Sequence, residues 1–398
     1  MVKKPFKYTH VGRLPEDWDC LQAIEVIDEI SMGPFGSDIT VSNFVSSGVP
    51  VLNGYNVSQI MLIDKFQNFV TPKKAKELKK AVAHRGDIIV THRGTIGQVS
   101  YIPDSSAYSE YVISQSQFRV HFNDKRVNSH FLVSYLLSPV GQKYLLETKG
   151  HTGVPALAQP TTNFRRLWIP LPEIAEQVAI AEALSNVDSL ISSLQKLIEK
   201  KKAIKQGAMQ ELLTGKKRLP GFSEEWAYRR VGEICSITKG QIITEKTAIH
   251  GNVPVIAGGK TPAFYHNVAN RESDVITISA SGANAGYIAY HDYPIFASDC
   301  STIESSDQYD VKFIYYALLY HQQELIGMQT GGAQPHIHPK EIGVLLVPRI
   351  NQEEQRAIAN VLSDMDSEIE QLEKKLAKYQ QIKHGMMQEL LTGRIRLV

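Results

Sequence analysis

EQVAIAEALSNVDSLISSLQKLIEKKKAIKQGAMQELLTGKKRL, Glu176 to Leu219, returns without a gap as EQRAIANVLSDMDSEIEQLEKKLAKYQQIKHGMMQELLTGRIRL, Glu354 to Leu397. Of the 44 aligned positions 25 are identical, far beyond what two unrelated helices sharing a heptad would give. The chain is therefore two tandem halves. The copies begin 178 residues apart, much longer than a solenoid or propeller unit, so each half holds a whole domain and a long helix.

Within the first copy Leu184, Val187, Ile191, Leu194 and Ile198 follow from Ile180 at alternating steps of four and three, the a/d pattern of a coiled-coil seam. Ile358, Leu362, Met365, Ile369, Leu372, Leu376 and Tyr379 keep the same rhythm in the second, with Glu, Lys and Gln on the outer positions. Both helices are predicted to stop at Leu-Leu-Thr-Gly, where Gly215 and Gly393 can take the left-handed conformation, and Pro220 follows the first stop. A helix of roughly 36 residues is ~54 Å long, a spacer rather than a core helix. Each copy also carries an internal glycine, Gly207 and Gly385, at a cost of about 1 kcal/mol relative to alanine. Close approach of a partner's helix would use such a residue; a tolerated kink or inheritance from the duplication is the bland alternative.

With 43 basic and 41 acidic residues, the balance neither demands nor forbids a polyanionic partner. Distribution says more. Lys73, Lys74, Lys76, Lys79 and Lys80 crowd one segment and Lys200, Lys201, Lys202 and Lys205 another, followed by Lys216, Lys217 and Arg218. Such clusters can track phosphates or form solvated helix faces. Cys20, Cys235 and Cys300 are odd in number, widely spaced and never C-x-x-C, so they read as buried apolar residues in a reducing compartment, with no disulfide and no zinc. MVKKPFKYTH has no apolar signal core and no run approaches the ~18 apolar residues of a membrane span, which makes the cytoplasm the expected location and a membrane an unexpected partner.

The regions before each repeat are rich in short β-type runs, glycines and turn residues, and they answer one another faintly. Leu14-Pro15 and Trp18 match Leu219-Pro220 and Trp226; Val49-Pro50-Val51-Leu52-Asn53-Gly54 matches Val253-Pro254-Val255-Ile256-Ala257-Gly258. Asp87-Ile88-Ile89-Val90-Thr91, leading to Gly97-Gln98-Val99-Ser100-Tyr101, answers Asp274-Val275-Ile276-Thr277-Ile278, leading to Gly286-Tyr287-Ile288-Ala289-Tyr290. Each reads as strand, polar loop, strand. The loops diverge, His92-Arg93-Gly94-Thr95 against Ser279-Ala280-Ser281-Gly282-Ala283-Asn284. One scaffold with two loop chemistries suits two readers of different sequences.

Over essentially its whole length the chain resembles the specificity (S) subunit of type I restriction-modification systems. The resemblance is carried by Leu171-Pro-Glu-Ile-Ala-Glu-Gln177 and Val347-Pro-Arg-Ile-Asn-Gln-Glu-Glu-Gln355, by the heptads and by the two QELLTG helix ends. It implies an α+β fold in which two mixed target-recognition domains, residues 1–172 and 218–350, alternate with helical regions 173–217 and 351–398. It also implies that the two helices form an antiparallel coiled coil with pseudo-twofold internal repeat. Each domain would read one half of a bipartite site in double-stranded DNA. The helices would set the spacing and dock two methyltransferase subunits, with motor-nuclease subunits joining the full complex.

Base edges are read by Arg or Lys at guanine, Asn or Gln at adenine, and adaptable Ser or Thr. Candidate DNA contacts in the first domain are Ser31, Phe35 and Ser37 of the glycine-flanked SMGPFGSD loop, then His92, Arg93 and Thr95, then Lys149, His151 and Thr152 before the helix. In the second they are Lys239, Gln241, Lys260, Thr261, Ser279, Ser281, Asn284, Gln329, Thr330, Gln334 and His336. Arg93 stands out because arginine suits both guanine and phosphate. Gly207 and Gly385 are the candidate partner-docking positions.

Catalytic signals fail on inspection. Gly258-Gly259-Lys260-Thr261 lacks the first glycine of a phosphate loop, since Val253 and Pro254 stand where it belongs. His336 and His338 have no carboxylate or cysteine at ligand spacing, and no cofactor loop pairs with an Asn/Asp-Pro-Pro-aromatic motif. No catalytic residue, metal or cofactor is expected. Two other readings stay open on the residues alone: a specificity subunit for a restriction enzyme whose methylation and cleavage share one polypeptide, and a protein scaffold whose coiled coil spaces two ligand-binding domains.

Overall fold

The computed structural model describes residues 5–123, 125–147, 154–332 and 334–397. Two compact units emerge, Met1–Ser193 with Leu376–Val398, and Leu194–Lys375. Both have the same α+β plan.

In the first unit the central antiparallel sheet comprises β1 (Ile27–Met32), β2 (Ile88–Thr91), β3 (Val99–Tyr101) and β4 (Gln117–Phe122), in the order β1-β4-β2-β3. Every residue of β2 is buried, because the strand is covered on both faces, and its Ile88-Ile89-Val90 run shows no alternation. Helix α1 (Ser129–Leu137) packs behind it, capped by Asn128, whose side chain accepts the Phe131 amide at 2.9 Å. The first long helix, α2, runs over Ile174–Leu213.

The second unit repeats this plan. Strands β5 (Ile237–Lys239), β6 (Val275–Ser279), β7 (Ile288–His291) and β8 (Cys300–Glu304) take the order β5-β8-β6-β7, and helix α3 (Val311–Tyr320) is capped by Asp310. The second long helix, α4, covers Gln352–Leu390. At 40 and 39 residues the two helices are ~60 Å long and start earlier than the heptads alone suggest. Gly215 and Gly393 end them with φ of 71° and 67°. At Gly393 a Cβ would also lie 2.4 Å from the Pro15 ring, so glycine is required twice over.

Pairing of the equivalent strands corrects one expectation. Tyr101 opposes Ile88, and Tyr290 opposes Ile276. Ile88 is therefore the counterpart of Ile276, and Asp87 of Val275; Asp87 does not answer Asp274. The aspartates differ in role as well as position. Asp87 is buried under Arg119 and His121, whereas Asp274 sits at φ 59° and accepts the Tyr290 hydroxyl.

The domain cores enclose the helix ends. In the first unit Trp18, Phe118, Phe131, Ile180 and Leu184 pack with Leu390 and Leu391; in the second, Phe313, Ile358 and Leu362 pack with Leu212 and Leu213. The paired leucines of QELLTG are thus core residues. Cys235 and Cys300 are buried, and burial pushes both thiols up to about 12, while Cys20 is only partly covered. No helix among the described residues is long and apolar enough to cross a membrane.

Each unit is closed by the same clasp. Glu176, almost wholly buried, accepts two hydrogen bonds from Arg396 and one from the Trp18 indole at 3.0 Å, and Arg396 also reaches Asp17 at 2.8 Å. Glu354, equally buried, receives Arg218 at 2.6 and 2.9 Å and the Trp226 indole at 3.3 Å. The neighbouring glutamines are also paired in role, Gln177 accepting the Asn128 amide and Gln355 the Asp310 amide, each at 2.8 Å. Lys383–Asp188 in one unit and Lys205–Asp366 in the other complete the correspondence. In both units these pairs run the helix segments antiparallel.

Removing one partner of a buried ion pair leaves the other charge uncompensated, at about 3–5 kcal/mol. Arg396→Ala is therefore expected to lower the stability of the first unit by roughly that amount, and Arg218→Ala that of the second. Arg396→Lys, which keeps charge but loses the two-pronged geometry, should fall between. Urea unfolding followed by tryptophan fluorescence checks this; an unchanged midpoint for Arg396→Ala refutes it.

Candidate nucleic-acid interface

At the end of the first sheet where β2 turns into β3, four segments meet. The turn is closed by the Thr91 amide on the Gln98 carbonyl and the Gly97 amide on the Thr91 carbonyl, with Gly94 and Gly97 at φ 83° and 84°. On one flank the segment from Val154 to Ala158 lies alongside, the Gly94 amide bonding the Pro155 carbonyl and the Leu157 amide the His92 carbonyl, both at 2.8 Å. On the other, the His92 amide bonds the Ser116 carbonyl at 2.9 Å. The loop after β1 is drawn in by the Gly33 amide on the Gln117 carbonyl. A Cβ at Gly33 would lie 1.9 Å from the Ser114 carbonyl oxygen, so only glycine permits this approach.

The second unit builds the same platform bond for bond. Ser279 pairs with Tyr287 and Gly286, the Gly282 amide with the Pro335 carbonyl, the Ile337 amide with the Ala280 carbonyl, the Ala280 amide with the Asp299 carbonyl, and the Gly240 amide with the Cys300 carbonyl. Gly282 and Gly286 stand at φ 78° and 82°, and a Cβ at Gly240 would lie 2.2 Å from the Ser298 carbonyl oxygen. His92 thus corresponds to Ala280, Arg93 to Ser281 and Gly94 to Gly282.

Side chains on these equal backbones differ. Arg93 is exposed and pairs with no carboxylate among the described residues, unlike the clasp arginines. His92 is half-buried, and burial, reinforced by the charge of Arg93, lowers its pKa despite a bond to the Gln115 carbonyl. Both effects favour the neutral imidazole. Because a carbonyl only accepts, Nε2, 3.3 Å from that oxygen, carries the proton and Nδ1 is left as an acceptor. The Thr95 hydroxyl donates to Gln98 at 2.8 Å and keeps its acceptor capacity. Phe35 and Ser37 are exposed in a turn held by the Phe35 amide on the Asp38 carboxylate. Ser31 and Phe35 line a cleft of about 480 Å³ with Lys79, Lys80 and Thr161. Lys149, His151 and Thr152 lie outside the described residues.

In the second unit Ser281 donates its hydroxyl to Asp299. Thr330 and His336 pair through their backbones, Gln329 donates its amide to the Ala285 carbonyl at 2.9 Å, and Gln334 is exposed. Lys239 is exposed at the end of β5 and Gln241 on the loop after it, and Asn284 is half-buried in the turn. Lys260 sits 5.6 Å over the Tyr287 ring, and with Thr261 it lines a small cleft shared with Ser279 and His291. Residues 258–261 form a bend between strands, not an entry into a helix. Ser279 departs from expectation: it is buried, and its hydroxyl faces the Ser281 carbonyl at 3.4 Å, so it braces the loop. At Gly207 and Gly385 a Cβ meets nothing within 4 Å, so among the described residues the chain itself makes no close approach there.

Several platform residues were invisible to motif reading. Gln115, Ser116 and Asp299 precede the last sheet strand, and Gln159, at φ 41°, starts the short helix Pro160–Arg165. Their signal is faint: a proline two residues before a buried aliphatic, Pro155 with Leu157 and Pro335 with Ile337.

The family description of the type I restriction modification DNA specificity domain matches the chain twice, over residues 44–206 and 223–383. The chain is 24% identical to the putative type I restriction enzyme MjaX specificity subunit of Methanocaldococcus jannaschii, over 98% of this chain and 97% of that one. It is equally 24% identical to the MjaVIII specificity subunit of the same organism, over 98% and 96%. In fold it is similar to the S subunit of a type I restriction-modification system from M. genitalium, with a TM-score of 0.67, 20% identity and coverage of 94% and 96%. A chain from a structure describing assembly and conformational transition of a type I system gives 0.59 at 18% identity, over 98% and 100%.

Arg93→Ala is expected to cost ~1–3 kcal/mol of DNA affinity and to relax preference at one position of one half-site. Competition binding against a panel of single-base variants measures it. A loss uniform across all sequences, with a shallower salt dependence, reassigns Arg93 to a phosphate.

Proposed function

The chain belongs to the type I restriction modification DNA specificity family, and on that premise we propose that it is the DNA-reading subunit of a type I restriction-modification complex. Residues 1–172 and 218–350 each read one half of a bipartite site in double-stranded DNA, and regions 173–217 and 351–398 set the gap between the halves. The observation that carries this reading is the duplicated platform: one backbone arrangement presents His92, Arg93 and Thr95 in one unit and Ser281, Asn284 and Gln334 in the other. Equal scaffolds with unequal side chains are what two different half-sequences require.

The subunit does not itself transfer methyl groups, hydrolyse ATP or cut DNA; it positions partners that do, in the cytoplasm. The relatives matched almost end to end are named as specificity subunits of type I restriction enzymes, which supports a type I complex over an assembly whose methylation and cleavage share one polypeptide. Two methyltransferase subunits dock on the helices, one at each repeat, and motor-nuclease subunits join the complete assembly. Bare helix faces support this. Ile204 beside Gly207 and Ile382 beside Gly385 are 47% and 39% exposed, and two equivalent surfaces suit two copies of one partner.

Three experiments follow. Gly207→Ala and Gly385→Ala should each stabilise the chain by about 0.5–1 kcal/mol, because helix propensity rises and the methyl meets nothing. Gly207→Trp should leave the fold intact and lower the number of methyltransferase subunits bound from two to one, read by mass photometry. Unchanged stoichiometry rules the glycines out as docking points. For the spacing, adding one heptad to both helices lengthens each by ~10 Å, about three base pairs. Methylome sequencing should then return the original half-sequences with a wider gap. Original spacing with new half-sequences contradicts the proposal.

A further inference from the structure

On each platform the loop after the first sheet strand carries a large apolar side chain into solvent. Phe35 is 80% exposed and Ile242 is 87% exposed. They are equivalent residues, each two positions after the glycine that bonds the start of the last strand, Gly33 on Gln117 and Gly240 on Cys300. Neither tip is loose. The first is held by the Phe35 amide on Asp38 and lies against Gln115, whose side-chain oxygen is 2.9 Å from where a Cβ of Gly36 would be. The second is held by the Gln241 amide on the Ala297 carbonyl at 2.9 Å and by the Ile243 amide near the Ser298 hydroxyl at 3.3 Å. Gln115 and Ser298 immediately precede Ser116 and Asp299, the residues bonded to the turn that carries Arg93 and Ser281. Each apolar tip is therefore fixed beside the polar residues of its platform. Lysines stand near both: Lys79 and Lys80 in the Phe35 cleft, and Lys239 at the end of β5, where the Ile242 loop begins.

We propose that Phe35 and Ile242 are specificity residues, each contacting the 5-methyl group of a thymine in the half-site its own domain reads. This rests on the DNA-reading function proposed above. Among base edges in the major groove the thymine methyl is the one apolar feature, and a rigid apolar tip flanked by hydrogen-bonding side chains is complementary to it. Stacking on an unpaired base would need a π face, which phenylalanine has and isoleucine lacks. What the two positions share is apolarity, not aromaticity. Insertion as a wedge between base steps would unstack and kink the duplex from the minor groove, and the polar neighbours of both tips suit an edge-reading platform instead.

The test uses the full chain in complex with its methyltransferase and duplexes in which each thymine of the target, on either strand, is replaced in turn by uracil, which removes only the methyl. For the wild-type complex one replacement in each half-site should weaken binding about fourfold, the worth of one buried methyl group. Phe35→Ala should abolish the uracil effect in the first half-site alone, and Ile242→Ala that in the second alone. Phe35→Leu should retain it, which separates loss of contact from loss of fold. Uracil effects that persist undiminished in the alanine variants overturn the proposal, as does a half-site without any A·T pair. Fluorescence of 2-aminopurine that rises on binding and falls back in Phe35→Ala would make the tip a wedge and also overturn it. If the wild-type complex shows no sequence preference at all, the DNA-reading function fails; sequence-specific binding with no uracil effect removes only the thymine contact.

Discussion

Everything in this fold hangs on a buried carboxylate at the first turn of each long helix. Glu176 and Glu354 are nearly inaccessible, and a charge in that position is tolerable only with close, well-directed partners. The partners come from far along the chain: Arg396 beyond the end of α4 answers Glu176 at the start of α2, and Arg218 beyond the end of α2 answers Glu354 at the start of α4. Each helix is thereby tied at its end to the beginning of the other, which fixes opposed directions inside each unit. An indole from the entry to the domain, Trp18 or Trp226, completes the site. The 44-residue repeat runs from Glu to Arg-Leu, the span that holds both halves of the clasp.

From the clasp the order spreads into the recognition end. The glutamine next to each buried glutamate accepts the amide of the residue that caps the domain helix, Asn128 or Asp310. That helix packs behind a sheet whose second strand is buried on both faces, and the strand ends in the turn that presents the candidate reading residues. A continuous run of fixed contacts therefore leads from a helix end to a side chain at the platform. Placement of a base-reading group within hydrogen-bonding tolerance needs such support, because a loop held only by solvent would spend its binding energy on ordering itself.

Legibility in the sequence followed the same division. The helices, their glycine stops and the strand-loop-strand units were readable because each depends on local pattern: heptad spacing, left-handed glycine, apolar runs beside turns. The register of the second strand was not. Ile88–Thr91 and Val275–Ser279 are buried throughout, the polar Thr91, Thr277 and Ser279 included, so no solvent-facing alternation fixes their phase and two aspartates at their borders suggest a pairing one residue out. Nor could the sequence reveal that Val154–Ala158 and Gln334–Ile337 flank turns roughly 50 to 60 residues earlier, or that Ser279 is buried, since both follow from tertiary pairing. The glutamate-glutamine pair was legible as a repeat and mute as to purpose.

One position condenses the logic of the duplication. Arg93 and Ser281 occupy the same place in the two platforms, and both are bonded through their neighbours' backbones to the proline-led segment beside them. Arg93 extends a guanidinium with no carboxylate partner among the described residues, whereas the Ser281 hydroxyl is already committed to Asp299, leaving its lone pairs and that aspartate as acceptors. The same position thus presents donors in one platform and acceptors in the other. Because the bonds that close each turn and tie it to the flanking segments run through the main chain, with glycine at the left-handed positions, exchange of Arg93 or Ser281 leaves that backbone frame in place. A scaffold of that kind lets the recognised sequence drift by substitution at a few exposed positions while the clasp, the caps and the helix pair stay as they are.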